Sequence, residues 1–268
     1  VGRKPISQSE YPRYPLPWRD FLGLPAALVL HKPRSFRQDA RRCLQRAGVP
    51  LRVSGAENIP RGGPALLLVN HYSRPGFRAW WIALAISALV PMEVHWTMTA
   101  AWTTDGRLRS KLLALISERS FPRLARVYGF TAMPPMPPRQ GEMEARARAV
   151  LQILAVARRN PPPILALAPE GQDTPGGVLM RPPPGAGRLI LLLSHLGYAL
   201  HPVGAFEEGG AFCLSFGSPF RLDLRTTLSS KEADRRASEI VMRAIARQLP
   251  PRLQGEFRPA QDVEALSA

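Results

Sequence analysis

Two short turns hold the residue types best suited to chemistry. The first is Val69-Asn70-His71-Tyr72-Ser73-Arg74-Pro75-Gly76, and the second is Leu167-Ala168-Pro169-Glu170-Gly171-Gln172. Each closes an uninterrupted apolar run, Ala65–Val69 or Ile164–Ala168, of the kind found in a strand covered on both faces. Polar side chains just past the carboxyl ends of such strands converge on one crevice. A histidine there suits general-base work, because its ordinary pKa lies near neutrality. Either turn alone is also what an incidental loop histidine or glutamate produces. The pair, in this order, is more specific.

Other chemistries have no motif to carry them. There is no G-x-S-x-G elbow, no G-x-G-x-x-G after a strand, and Gly171–Gly177 lacks the lysine that a P-loop requires. No His-Glu-x-x-His occurs, and His31, His71, His95, His195 and His201 are too dispersed for a metal centre, so no metal is expected. Cys43 and Cys213 lack metal-type spacing and read as buried free thiols in a reducing compartment. Zinc-finger spacing and the aromatic pattern of RNA-recognition folds are missing too.

The elements that must position the two turns follow from length and texture. A chain of 268 residues, 45% hydrophobic and 21% charged, supports one large α/β domain and is unlike a disordered or disulfide-stapled protein. Its 36 basic and 20 acidic residues leave a net +16, and only Lys4, Lys32, Lys111 and Lys231 of the basic set are lysines. A GC-rich genome produces the same arginine bias. The charge itself favours an anionic partner such as a membrane surface, nucleic acid or a phosphorylated ligand. No signal peptide is legible, and a leader trimmed ahead of Val1 is compatible with that. The longest apolar run, Ala79–Met92, has fourteen residues, short of the roughly 20 that span a bilayer.

Residues 1–50 form a basic, proline-rich segment with ten basic and three acidic residues, a net +7. Arg34–Arg46 within it reads as an amphipathic helix. Arg34, Arg37, Arg41 and Arg42 lie on one side, and Phe36, Ala40, Cys43, Leu44 and Ala47 on the other. A solvated face and a face docked on anionic lipid headgroups both fit. From Leu51 strands and helices alternate. Helices are expected at about Phe77–Leu89, Glu142–Arg158, Ala186–Leu196 with Gly197 as C-cap, and Ser230–Gln248 behind a Ser229/Glu232 capping box. Strands are expected around Ala199–Phe206 and Phe212–Phe216, and Trp80 and Trp81 read as core. This predicts a single α/β domain over 51–268, with a mixed, partly parallel central sheet flanked by helices.

The stretch Asn70–Phe206 resembles the glycerolipid acyltransferase family, which includes the glycerol-phosphate and lysophosphatidic acid acyltransferases. Asn70, His71 and Ser73 match the family's opening Asn-His-x-Ser-x-x-Asp. Pro169, Glu170 and Gly171 match its Phe-Pro-Glu-Gly-Thr-Arg block. Gly185–Phe206 looks like the family's last helix and strand, with Pro202 at the matching proline, and Gly217-Ser218-Pro219 sits where members often carry Gly-x-Pro. The resemblance spans roughly residues 50–222. It implies acyl transfer from acyl-CoA or acyl carrier protein to a hydroxyl of a lipid precursor, with His71 as general base and no covalent enzyme intermediate. Asn70, Ser73, Pro169, Glu170, Gly171 and Pro202 are the implied substrate-binding residues. The basic N-terminal segment would then hold a cytoplasmic protein peripherally on the inner, anionic face of the membrane, where acceptor and product reside. No bound cofactor beyond the thioester substrate is expected, and no nucleic acid.

Three departures bear on that expectation. Gly76 stands where the family places the aspartate that orients the histidine. Loss of such a carboxylate costs on the order of 10⁴ in rate, by analogy with a serine-protease triad. Asp173 replaces the arginine of the Glu-Gly-Thr-Arg block, and Gly129-Phe-Thr-Ala-Met-Pro-Pro carries no arginine until Arg139. Those two arginines engage the acceptor's phosphate in the family, so a different acceptor is expected here. Glu93, Asp105 and Asp173 are each available to orient His71. If His71 is the base, Gly76→Asp should raise turnover. A catalytically inactive relative that binds lipid or a partner at the membrane is the alternative, and a nucleic-acid binder explained by charge alone is a third.

Overall fold

The computed structural model describes residues 11–15, 17–101, 108–136, 141–224 and 228–258. Its strands are β1 (Leu51–Ser54), β2 (Ala65–Val69), β3 (Val94–Thr99), β4 (Thr131–Met133), β5 (Ile164–Leu167), β6 (Ala199–Glu208) and β7 (Ala211–Phe216). Its α-helices are α1 (Leu24–Leu30), α2 (Phe36–Ala47), α3 (Trp80–Leu89), α4 (Leu108–Tyr128), α5 (Met143–Ala157), α6 (Ala186–His195) and α7 (Ser230–Ala246). The strands make one sheet in the order β1-β7-β6-β2-β5-β3-β4. Every neighbouring pair is parallel except the β6–β7 hairpin. The expected mixed α/β sheet is therefore present, and it is mostly parallel.

Continuous apolar sequence explains the centre of that sheet. β2 reads Ala-Leu-Leu-Leu-Val and β5 Ile-Leu-Ala-Leu, and every one of these residues is buried, as parallel strands covered on both faces require. The same core cluster takes in Ala40 and Cys43 of α2, so the basic N-terminal helix is packed into the body of the fold, against α3. Its arginines are engaged there. Arg37 Nε donates to the Val90 carbonyl at 2.9 Å and Arg41 Nε to that of Ala88 at 3.1 Å, at the C-terminal end of α3 where carbonyls lack helical partners. Arg34 forms a two-pronged pair with the buried Asp39.

Helix ends follow local chemistry. Ser35 caps α2 by accepting the Gln38 N–H, and Ser229 caps α7 by accepting that of Glu232. Asp234 on α7 accepts the Gly185 and Arg188 N–H groups that open α6, pinning the two helices together. α3 starts at Trp80 rather than Phe77, because Phe77 first closes a turn by donating its N–H to Arg74. Trp81 is buried while Trp80 is exposed, since adjacent helical positions point about 100° apart. No helix among the described residues is long and apolar enough to cross a membrane.

Candidate functional site

The register of the two central strands brings the turns together. Leu68 of β2 pairs with Leu167 of β5, and His71 and Glu170 each lie three residues further along. Both turns therefore leave the sheet at the same level, at the carboxyl ends of parallel neighbours. On the other side of β2, Val69 pairs with Val203 of β6. Asn70 continues this ladder with its side chain. Its amide nitrogen donates to the Ala205 carbonyl at 2.9 Å and its oxygen accepts the Ala205 N–H at 2.7 Å. A buried primary amide thus imitates a strand residue and holds the start of the turn to β6.

The loop after β5 grips His71 at three points. Glu170 Oε2 accepts the His71 backbone N–H at 2.6 Å, and Thr174 Oγ1 donates to the His71 carbonyl at 3.1 Å. The third contact is to the ring: Asp173 Oδ1 lies 3.0 Å from Nδ1. That oxygen sits off the Nδ1–H direction, so the approach is close without being an aligned hydrogen bond. Unliganded sites commonly hold catalytic contacts in this loose form and tighten them around substrate. The His71 ring, first, and Arg78's charge keep the Asp173 carboxyl below the ordinary carboxylate range. A carboxylate on Nδ1 favours the tautomer with its lone pair on Nε2. Nε2 has no hydrogen bond among the described residues.

Glu170 is almost completely buried. Its second oxygen accepts the Met180 N–H at 2.9 Å, so the carboxyl ties the histidine turn to the far end of its own loop. Burial raises its pKa to about 7, against the pull of the two backbone donors. Gly177 lets the same loop pass beneath Tyr72. A Cβ there would stand 2.4 Å from the Tyr72 ring, and φ is +73°.

A second buried carboxylate holds the rest of the turn, and it has no motif in the sequence. Glu207, near the end of β6, has a fully buried side chain. Its Oε1 accepts Tyr14 Oη at 2.8 Å and Arg74 Nη2 at 2.6 Å; its Oε2 accepts Tyr72 Oη at 2.9 Å and Arg74 Nε at 2.5 Å. Burial and the Glu207 charge push both phenols well above their ordinary pKa. Tyr11 lies under the Arg74 guanidinium, 4.0 Å from its carbon to the ring centroid. A glutamate late in the mostly apolar stretch Ala199–Glu208 was the available signal for this cluster.

The other residues singled out from sequence are placed as follows. Ser73 is half-buried within the turn, Pro169 is buried next to Glu170, and Gly171 is exposed at the loop's start. Pro202 lies within β6 opposite Leu68, where its carbonyl accepts the Gly217 N–H. Glu93 serves α2, accepting the Ser35 hydroxyl and the Arg37 N–H, so of the three carboxylates open to orient His71 it is otherwise engaged. Asp105 and Arg139 lie outside the described residues. Gly76 has a φ of +87°, and a Cβ on it would come within 3.0 Å of Arg74 Nη1. Among the described residues, no group of three or more His, Cys, Asp or Glu is arranged to hold a metal.

This is an α/β protein whose central parallel strands present a histidine and a carboxylate-bearing loop at their carboxyl ends. No protein-family model matches the chain, and no curated protein sequence matches it. Among solved structures it is similar to the 1-acyl-sn-glycerophosphate (LPA) acyltransferase PlsC from Thermotoga maritima, with a TM-score of 0.50 and 16% identity. That likeness covers 86% of this chain and 85% of the other. It is a likeness of fold.

Proposed function

We propose that the protein transfers an acyl chain from a thioester, acyl-CoA or acyl carrier protein, to a hydroxyl of a lipid precursor. The observation that carries this reading is His71, approached at Nδ1 by Asp173 at 3.0 Å, with no hydrogen bond on Nε2 among the described residues. Nε2 takes the proton as the acceptor oxygen attacks the thioester carbonyl. The carbon–sulfur bond then breaks, and the imidazolium returns the proton to the leaving thiolate. Histidine and thiolate chemistry balance without an acyl-enzyme, in keeping with the missing nucleophile elbow. The fold shared with an LPA acyltransferase supports the same reading.

The acceptor is not a phosphomonoester. Asp173 puts a negative charge beside the base, and Arg74, three residues past His71, is occupied on both prongs by Glu207. Arg78 offsets Asp173 in part, and a neutral or amine-bearing lipid alcohol fits that balance better than a doubly charged phosphate. For the membrane, the basic balance of +16 and an apolar tip on α1 supply the two ingredients of interfacial binding. There Val29 and Leu30 are 78% and 72% exposed. The working location is the inner, anionic face.

The test is thiol release from a panel of acyl-CoA and acyl-carrier donors with mixed lysolipid and neutral-lipid acceptors, with products identified by mass spectrometry. Release that depends on His71 and yields an acylated neutral lipid is expected. A folded, vesicle-binding protein with no release above His71→Ala would instead be a non-catalytic lipid-surface relative.

A further inference from the structure

We infer that residues 11–15 are a working part of the site, and that Tyr14 is a positioning residue for His71 acting through Glu207. The inference rests on His71 being the reactive group of the proposed function, but its geometry stands by itself. A carboxylate has about four lone-pair sites. Those of Glu207 are filled by four donors, two from the Arg74 fork and one each from Tyr72 and Tyr14. Tyr72 and Arg74 both follow His71 in sequence, so the carboxylate fixes the downstream half of the histidine turn to β6 just as Asn70 fixes the upstream half.

Tyr14 completes this anchor from far away in the chain. Its ring packs edge-on against Phe77 at 5.1 Å between centroids, and it also meets Trp81 at 5.3 Å and Phe212 at 6.3 Å. These residues belong to the end of the histidine turn, to α3 and to β7. Tyr11 supports the opposite face of Arg74. The histidine turn is therefore clasped from two directions, by the loop after β5 through Glu170 and Thr174, and by residues 11–15 through Glu207. Without the Tyr14 hydroxyl, Oε1 of a buried anion keeps Arg74 Nη2 as its one donor, and the carboxylate loses the contact that sets its plane against residues 11–15. The Arg74–carboxylate pair then sits less rigidly, and the turn that carries His71 is bonded to it through Tyr72 and Arg74.

Tyr14→Phe tests this in the full-length chain, because it keeps the ring packing and removes only the hydroxyl. Two readouts are needed. The first is the nitrogen-15 spectrum of the His71 ring, which reports the tautomer. A dominant Nε2-unprotonated form is expected in the wild type, and a mixture in Tyr14→Phe. The second is steady-state acyl transfer, with kcat lower by about tenfold and KM within about twofold, as expected when orientation is lost and binding is not. Tyr72→Phe removes the other phenol from the same carboxylate and should give the same ring signature, which covers the case of a poorly folding Tyr14 variant. An unchanged His71 spectrum in folded variants, with or without a fall in melting temperature, overturns the inference and leaves Tyr14 as packing alone. If the wild type transfers no acyl group, the proposed reaction fails while the spectrum still decides the positioning role.

Discussion

His71 Nδ1 and Asp173 Oδ1 stand 3.0 Å apart, bridging the turn after β2 and the loop after β5. The resemblance places a carboxylate on the histidine's own turn; here one approaches the ring from the neighbouring loop. Asp173 is an outer-edge residue, with a side chain 71% exposed, so water competes with it for the ring. Asp173→Asn should lower kcat by about 10²-fold, the lower end of what acid–base positioning contributes, with KM little changed. The loss should shrink in high salt, where an exposed charge acts less. Thiol-release kinetics at low and high ionic strength check this; wild-type rates in Asp173→Asn would remove the carboxylate from the mechanism.

Gly76→Asp is expected to bring no gain in turnover, which reverses the expectation drawn from sequence. The backbone there has a φ of +87°, and Nδ1 already faces Asp173. A side chain in that left-handed region costs about 1–2 kcal/mol. A urea midpoint lowered by that amount, with turnover at or below wild type, is the expected pair of measurements. Raised turnover would mean that a carboxylate at 76 reaches the ring.

Glu170 makes stability depend on pH. Burial places its carboxyl at about 7 when folded, against 4.5 for the free side chain. The folded state therefore prefers the neutral form. The contribution from this group is full below pH 4.5, declines as pH rises, and is gone above pH 7. Across that window it amounts to about 3 kcal/mol. Urea unfolding at pH 5 and pH 8 should show a steeper loss in wild type than in Glu170→Gln, which has nothing to ionise. Parallel curves for the two proteins would place the titration elsewhere.

Arg74→Ala leaves the Glu207 carboxylate buried with only two phenols. Removing one partner from a buried ion pair costs about 3–5 kcal/mol. Chemical denaturation should register a loss of that size, whereas Arg236→Ala, at an exposed pair one helical turn apart, should cost less than about 0.5 kcal/mol.

Val29→Asp should weaken sedimentation with anionic vesicles by about tenfold or more, since it exchanges an exposed apolar contact worth about 1.5–3 kcal/mol for a charge. Neutral vesicles should bind neither protein well. Equal sedimentation of the variant and wild type would move the lipid-facing surface away from α1.

Much of this was legible in the sequence because burial writes itself into composition. The all-apolar β2 and β5 could only be central strands, and Ser229 with Glu232 marked the start of α7. α4 was not read, because Pro122 interrupts its pattern and only the tertiary setting carries the helix through it. β3 and the three-residue β4 lack the continuous runs of the centre. In the site, the turns at His71 and Glu170 were visible as motifs. The choice among Glu93, Asp105 and Asp173 was not, because it depends on which loop the β2–β5 register sets beside the ring. Glu207 was not read for the same reason: its partners come from two stretches far from it in the chain, residues 11–15 and the histidine turn.

The two halves of the His71–Asp173 contact are joined only when β5 has taken its place beside β2. During synthesis the histidine leaves the ribosome long before the aspartate exists. A half-made chain therefore holds an imidazole with no carboxylate beside it. The contact arrives together with closure of the sheet, so it belongs to the tertiary fold and to neither turn alone.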